Sequence, residues 1–299
     1  MLRAPAVKKR DALLPPLPRL TEARAPLTHE VEVVDEHGER QTLSIPAERD
    51  LTLYVDKREL VTLMTLGARP EWLVLGYLRN QRLVRSVDEV ESVTVDWEVG
   101  AASVKTRAGI DRIEERTARR VVTTGCGQGS VFGGLMYEID TIVLPGSALT
   151  QAGLYEIVNA IRLQESTYKS AGSVHGCALF RGGELALFVE DVGRHNAIDT
   201  IAGWMWLEAV GATPATASAP LVFYTTGRLT SEMVIKSAQI GVAIVVSRSG
   251  ITQMGHQIAQ RIGLCAIGRA TNKRFLCYSA PHRLVLQPGL AGPRVRAAG

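Results

Sequence analysis

Long apolar runs are missing from this chain of 299 residues. No stretch of about 18 consecutive apolar residues occurs, so nothing in it reads as a transmembrane helix. The opening stretch MLRAPAVKKRDALLPPLPRL is basic and proline-rich and lacks the apolar core of a secretory signal, so it reads as a tail. Cysteine is sparse. The four present, Cys126, Cys177, Cys265 and Cys277, are widely spaced and match no zinc or disulfide framework, which points to a reduced, cytoplasmic setting. Charge of one sign is not in large excess: a net +4 is no footprint of a generic nucleic-acid binder. A GK[ST] phosphate loop and a GxGxxG fingerprint are both lacking, which argues against a kinase or a dinucleotide dehydrogenase.

What is present is an ordinary globular composition, with 46% hydrophobic and 21% charged residues and length enough for two domains. Polar and apolar residues alternate from His29 around the turn DEHG, as in a hairpin, and LTLYVD (51–56) reads as a strand. Pro70 opens the helix PEWLVLGYLRN, and residues 88–106 alternate again. After the glycine loop (125–129) the pattern changes, with a domain boundary expected near 120–145. Thr150 can cap a helix whose Leu154, Ile157, Val158 and Ile161 share a face, a strand pair follows over 176–190, and helices then alternate with apolar strands to residue 279. We expect a tail over 1–28, an N-terminal α+β domain over 29–135, an α/β domain over 136–285 and a tail over 286–299. The α/β part predicts a partly parallel mixed sheet with helices on both faces.

In such a sheet, ligands bind beyond the carboxyl ends of the strands. Here each strand runs into a loop bearing glycine or serine and arginine: DVGRHNA with Arg194 and His195, TGRLTSE with Arg228, RSG with Arg248, and RATNKR with Arg269, Lys273 and Arg274. Three of these loops enter helices, whose first N–H groups favour anions. Together they predict a pocket for a phosphorylated ligand, with His195 and Asn196 as candidates for base or sugar contacts. Asp191 reads as a partner for Arg194 or for a ligand hydroxyl. In VVTTGCGQGS (121–130), Cys126 stands between two glycines, uncrowded, with Arg119 and Arg120 close by in sequence; this suits either a reactive thiolate or a small residue in a turn. Cys265 and Cys277 lie in apolar strands and read as core, whereas Cys177, following His175 at the mouth of a strand, suits either core packing or a reactive partner.

Four segments, TTGCG (123–127), EDVGRHNAIDT (190–200), TTGRLTSEMVIKSAQIGVAIVVSRSG (225–250) and IGRATNKRFLCYS (267–279), supported by SVHGCALF (173–180), resemble the formate dehydrogenase accessory sulfurtransferase, or FdhD, family of sulfur carrier proteins. The similarity runs from about residue 27 to 285. It implies a cytidine-deaminase-like fold, a homodimer, and a loop cysteine, here Cys126, that takes persulfide sulfur from a cysteine desulfurase. The sulfur would pass to the bis-(molybdopterin guanine dinucleotide) molybdenum cofactor destined for formate dehydrogenase. The family's cofactor-binding loop matches Ile267, Gly268, Arg269, Ala270, Thr271 and Asn272, and GDP is the implied surrogate ligand. Arg194, Arg228, Lys273 and Arg274 would then neutralise phosphate. One departure stands out: where many members carry C-x-x-C, the second position here is Gly129. A persulfide needs one nucleophile, so the single-cysteine version remains chemically sound. The H-x-E and P-C-x-x-C segments of a zinc deaminase are absent, and no resident metal is expected. A cofactor-holding chaperone without covalent sulfur transfer is the alternative reading.

Overall fold

The computed structural model describes residues 17–111, 113, 139–210 and 219–291. Two main sheets organise them. The first contains β1 (Arg19–Leu20), β4 (Arg49–Val55), β5 (Arg58–Thr65), β6 (Val90–Asp96) and β7 (Ala101–Thr106), in the order β1-β6-β7-β4-β5. Between β1 and β4 runs a separate hairpin of β2 (Thr28–Val34) and β3 (Arg40–Pro46). Asp35 accepts from the amides of His37 and Glu39 at its turn, the role that the DEHG sequence suggests. Alternation in β4 turns Leu51, Leu53 and Val55 fully inward, where Leu73, Leu75 and Leu78 of α1 (Pro70–Asn80) cover them.

The second sheet is built from β9 (His175–Arg181), β10 (Glu184–Asp191), β11 (Leu221–Thr225), β12 (Ile244–Ser247), β13 (Cys265–Thr271) and β14 (Arg274–Cys277). Their order is β10-β9-β11-β12-β13-β14. β11, β12 and β13 are parallel; β9 runs against β10 and β11, and β14 runs against β13. A short parallel pair, β8 (Leu149–Thr150) with β15 (Leu284–Val285), flanks it. α4 (Arg194–Ala209), α5 (Ser231–Gln239) and α6 (Gln253–Ile262) pack on one face, bringing Ile198, Ile201, Met233 and Ile258 against Phe223 and Val245. α2 (Gln151–Leu163) packs Leu154 and Ile157 on the other face, against Phe180 and Val246, and α3 (Thr167–Ala171) follows it. The Thr150 hydroxyl accepts from the Gly153 amide and caps α2. The expected mixed α/β architecture, with helices on both faces of a partly parallel sheet, is what is found.

α4 lies between the second sheet and α1, so its first ten residues are buried all round. Two glycines permit the crossing. A Cβ on Gly76 would lie 1.6 Å from the Asp199 carbonyl oxygen, and one on Gly203 would lie 1.9 Å from that of Trp72. Three elements escape the sequence pattern. β5 follows a turn in which Asp56 and Lys57 both have positive φ, the geometry of a tight hairpin turn but without its usual Asn-Gly signature. α3 spans five residues and carries no period to read. β1 falls inside the stretch read as tail, yet it pairs in parallel with β6, and Ala23 donates its amide to Glu71.

Candidate functional site

Because β9 is antiparallel to β11, its first residue lies at the edge where β11, β12 and β13 end. That edge collects His175, Thr226, Arg248, Ser249, Ala270, Thr271 and Asn272 around a cavity of about 730 Å³. Opposite them stand Val158, Ile161 and Arg162 of α2, and Tyr168 and Lys169 of α3. Phe188 and Tyr224 supply aromatic wall. The volume falls within the range of pockets that hold small organic ligands. Among the lining residues Arg162, Lys169 and Arg248 are cationic and Glu190 alone is acidic. The Glu190 carboxylate is already engaged: it accepts from the amides of Thr167 at 2.5 Å and Tyr168 at 3.1 Å, at the start of α3. The cavity thus combines apolar walls with net positive charge, which suits an aromatic base carrying phosphate.

His175 is half-buried. Burial, then the Arg194 and Arg228 guanidiniums, hold its imidazole below the ordinary histidine value, so it is neutral at pH 7. The backbone of β13 bends into the cavity through a register shift between Gly268 and Thr271, with Arg269 and Asn272 both at positive φ. The Arg269 amide donates to the Ser249 carbonyl at 2.7 Å, which fastens this loop to the one after β12.

Below that edge lies a buried polar layer. Asp191 accepts from Thr65 Oγ1 at 2.5 Å, from the Leu66 and Gly193 amides at 3.1 and 3.0 Å, and from Asn196 Nδ2 at 2.8 Å. It therefore ties the end of β5 to the start of α4. His195 faces Glu232 at 3.4 Å, and Lys236 reaches Asp199 at 2.8 Å and Glu232 at 3.4 Å, all in the interior. Burial pulls the Lys236 ammonium down, but the two carboxylates outweigh it and leave the group above its ordinary value, hence charged. Arg194 lies across Gly227, where a Cβ would meet its Cδ at 2.7 Å.

The residues singled out in the sequence therefore separate. Ala270, Thr271 and Asn272 line the cavity, and Ile267 and Gly268 are buried in the strand that leads to them. Arg228, Arg269, Lys273 and Arg274 are exposed and do not line it. Arg194, His195 and Asn196 are buried, and the latter two point at Glu232 and at Asp191 with the Met64 carbonyl. Cys126, its glycine loop, Arg119 and Arg120 lie outside the described residues. Cys177 is wholly buried, and burial pushes its thiol up to about 12 while its Sγ donates to Thr225 Oγ1. It is core, and at neutral pH it is no nucleophile. Arg162, Lys169 and Tyr168 escape a reading along the chain because α2 and α3 reach the strand ends only through tertiary packing.

The family model described as FdhD/NarQ matches residues 46–285. The chain belongs to the FdhD/NarQ family. A relative named sulfur carrier protein FdhD, from Bacillus licheniformis, is 28% identical over 247 residues, covering 82% of this chain and 91% of that one. The protein of the same name from Bacillus subtilis is 28% identical over 239 residues, covering 78% and 87%. A crystal structure of a protein described as a formate dehydrogenase accessory protein, from Desulfotalea psychrophila, superposes with a TM-score of 0.69 at 24% identity, over 87% of this chain and all of that one. That likeness shows that the two chains share a fold. The matched span contains both main sheets from β4 onward and every residue lining the cavity. Among the described residues no helix is long and apolar enough to cross a membrane.

Proposed function

We propose that this FdhD/NarQ protein is a sulfur carrier for formate dehydrogenase, with Cys126 as the sulfur-bearing residue. Its thiolate attacks the terminal sulfur of a cysteine desulfurase persulfide. The donor S–S bond breaks, the desulfurase cysteine leaves as thiolate, and Cys126 keeps the sulfur as a persulfide. The recipient is the molybdenum of the bis-(molybdopterin guanine dinucleotide) cofactor, bound as substrate before its insertion into formate dehydrogenase. The observation that carries this reading is the cavity itself. It has flat apolar and aromatic walls for a guanine, three cations for the diphosphate, and Thr271 and Asn272 presented on a strained strand end.

In this reading Arg162, Lys169 and Arg248 take the phosphates. The neutral His175 donates or accepts a hydrogen bond, and Arg194 and Arg228 act through the field they place on it. A cytidine-deaminase-like relationship, a homodimer and a cytoplasmic setting belong to the same proposal. The test is intact-protein and peptide mass spectrometry after incubation with a cysteine desulfurase and cysteine, alongside GDP titration. The protein should gain one sulfur atom on the peptide carrying Cys126. Cys126→Ala should lose that gain and formate dehydrogenase maturation while still binding GDP. Maturation that survives Cys126→Ala would replace the carrier with a cofactor-holding chaperone.

A further inference from the structure

Two more thiols lie side by side away from the cavity. Cys265 begins β13 and is wholly buried; Cys277 ends β14 and is partly exposed. Cys277 pairs in register with Ile267, two residues beyond Cys265, so both side chains sit on the same sheet face along a diagonal. Their Sγ atoms are 3.9 Å apart, and both thiols are free. The pair is asymmetric. The hydrogen bond from Cys265 holds the Cys277 thiol down to about 7 against the opposing effect of burial, while Cys265 is pushed up by donating that bond and by its burial. Cys277 Sγ also donates to the Ser279 carbonyl at 3.4 Å. A partly exposed thiol 3.9 Å from a buried one is the arrangement of an attacking and a resolving cysteine.

We propose that Cys277 and Cys265 form a hydroperoxide-reactive dithiol that closes into an intrachain disulfide, separate from the sulfur-carrying Cys126. The Cys277 thiolate attacks one peroxide oxygen and the O–O bond breaks. This leaves Cys277 as a sulfenic acid and releases the second oxygen as hydroxide, or as the alcohol of an organic hydroperoxide. The Cys265 sulfur then attacks Cys277 Sγ. The S–O bond breaks and water leaves with the Cys265 proton. Two thiols lose two electrons and the peroxide gains them, so the step needs no further reductant or oxidant. The new bond ties β13 to β14, the two strands whose connection carries Thr271 and Asn272 to the cavity.

The test uses the full chain with slightly more than one equivalent of hydrogen peroxide, followed by peptide mapping without reduction. A cross-linked peptide joining Cys265 to Cys277, lighter by two hydrogen atoms, is the expected product. Cys277→Ser should abolish it, and Cys265→Ser should leave a sulfenic acid on Cys277 that dimedone traps. In the unmodified chain, which needs no variant to fold, Cys277 should alkylate at neutral pH about tenfold faster than Cys265. Prior alkylation should also block the cross-link. Recovery of Cys277 reduced while Cys126 is oxidised, or a bond from Cys277 to a different cysteine, would overturn the proposal.

Discussion

His175 shows how a single side chain records its surroundings. Burial comes first and two guanidiniums second in depressing its basicity, so the fold prefers the neutral ring. A histidine held below its unfolded value costs stability on acidification. The cost is absent above the ordinary histidine value near 6.5, and it grows as the pH falls through that range and the unfolded chain takes up a proton that the fold resists. Phosphate bound among Arg162, Lys169 and Arg248 would offset the arginine field. The expected outcome of an NMR titration is therefore a His175 midpoint below 6.5 in the free protein that rises when GDP is added. A midpoint unmoved by saturating GDP would place the nucleotide elsewhere. The motif VGRHNA drew attention to His195 for this role, because a histidine at a helix start reads the same way whether it faces ligand or interior. Which it faces depends on Glu232, which lies 37 positions further along the chain and sits at 3.4 Å.

The decisive element is α4. Its sequence, RHNAIDTIAGWMWLEA, mixes charged, small and aromatic residues without a clear apolar stripe, as expected for a helix covered on several sides. Gly203 faces Gly76 of α1, and the two backbones approach closely enough that no side chain fits. Gly203→Ala should force the helices apart and lower stability by about 3 kcal/mol in denaturant unfolding. Gly146→Ala, where a Cβ would meet nothing within 4 Å, should leave stability unchanged. Equal effects from both substitutions would remove the close crossing from the account. Helix existence was legible here from composition and from the glycine loop that precedes it. The crossing was not, because a glycine within a helix signals close approach without naming the partner.

At the scale of the whole molecule, the first sheet with α1 and the second sheet with its helices meet through buried polar contacts as well as apolar ones. Asp191 gathers Thr65, Leu66, Gly193 and Asn196, and Asn80 of α1 donates to Asp199 at 2.6 Å, beside Lys236. Lys236→Met would leave Asp199 and Glu232 facing one another without their cation, at a loss of about 3 to 5 kcal/mol. Burial already holds the Asp199 carboxyl above its ordinary value and the Lys236 charge opposes that rise, so removing the lysine lifts it further above its unfolded value. The deficit relative to the unaltered protein should then be full at pH 7 and shrink as the pH approaches 4, where Asp199 can protonate. Thermal unfolding at the two pH values checks it, and a deficit independent of pH would assign the loss to packing alone. The chain by itself determined most of its strands and long helices, the partly parallel sheet, the family and the Thr271–Asn272 loop, because hydrophobic period, turn residues and contiguous motifs are local along the chain. Only the tertiary structure decided that Arg162 and Lys169 share the cavity with that loop, that His195 and Asn196 turn inward, and that Cys265 lies against Cys277. Those are distances between residues remote in sequence, and they are set by how the helices and strands pack.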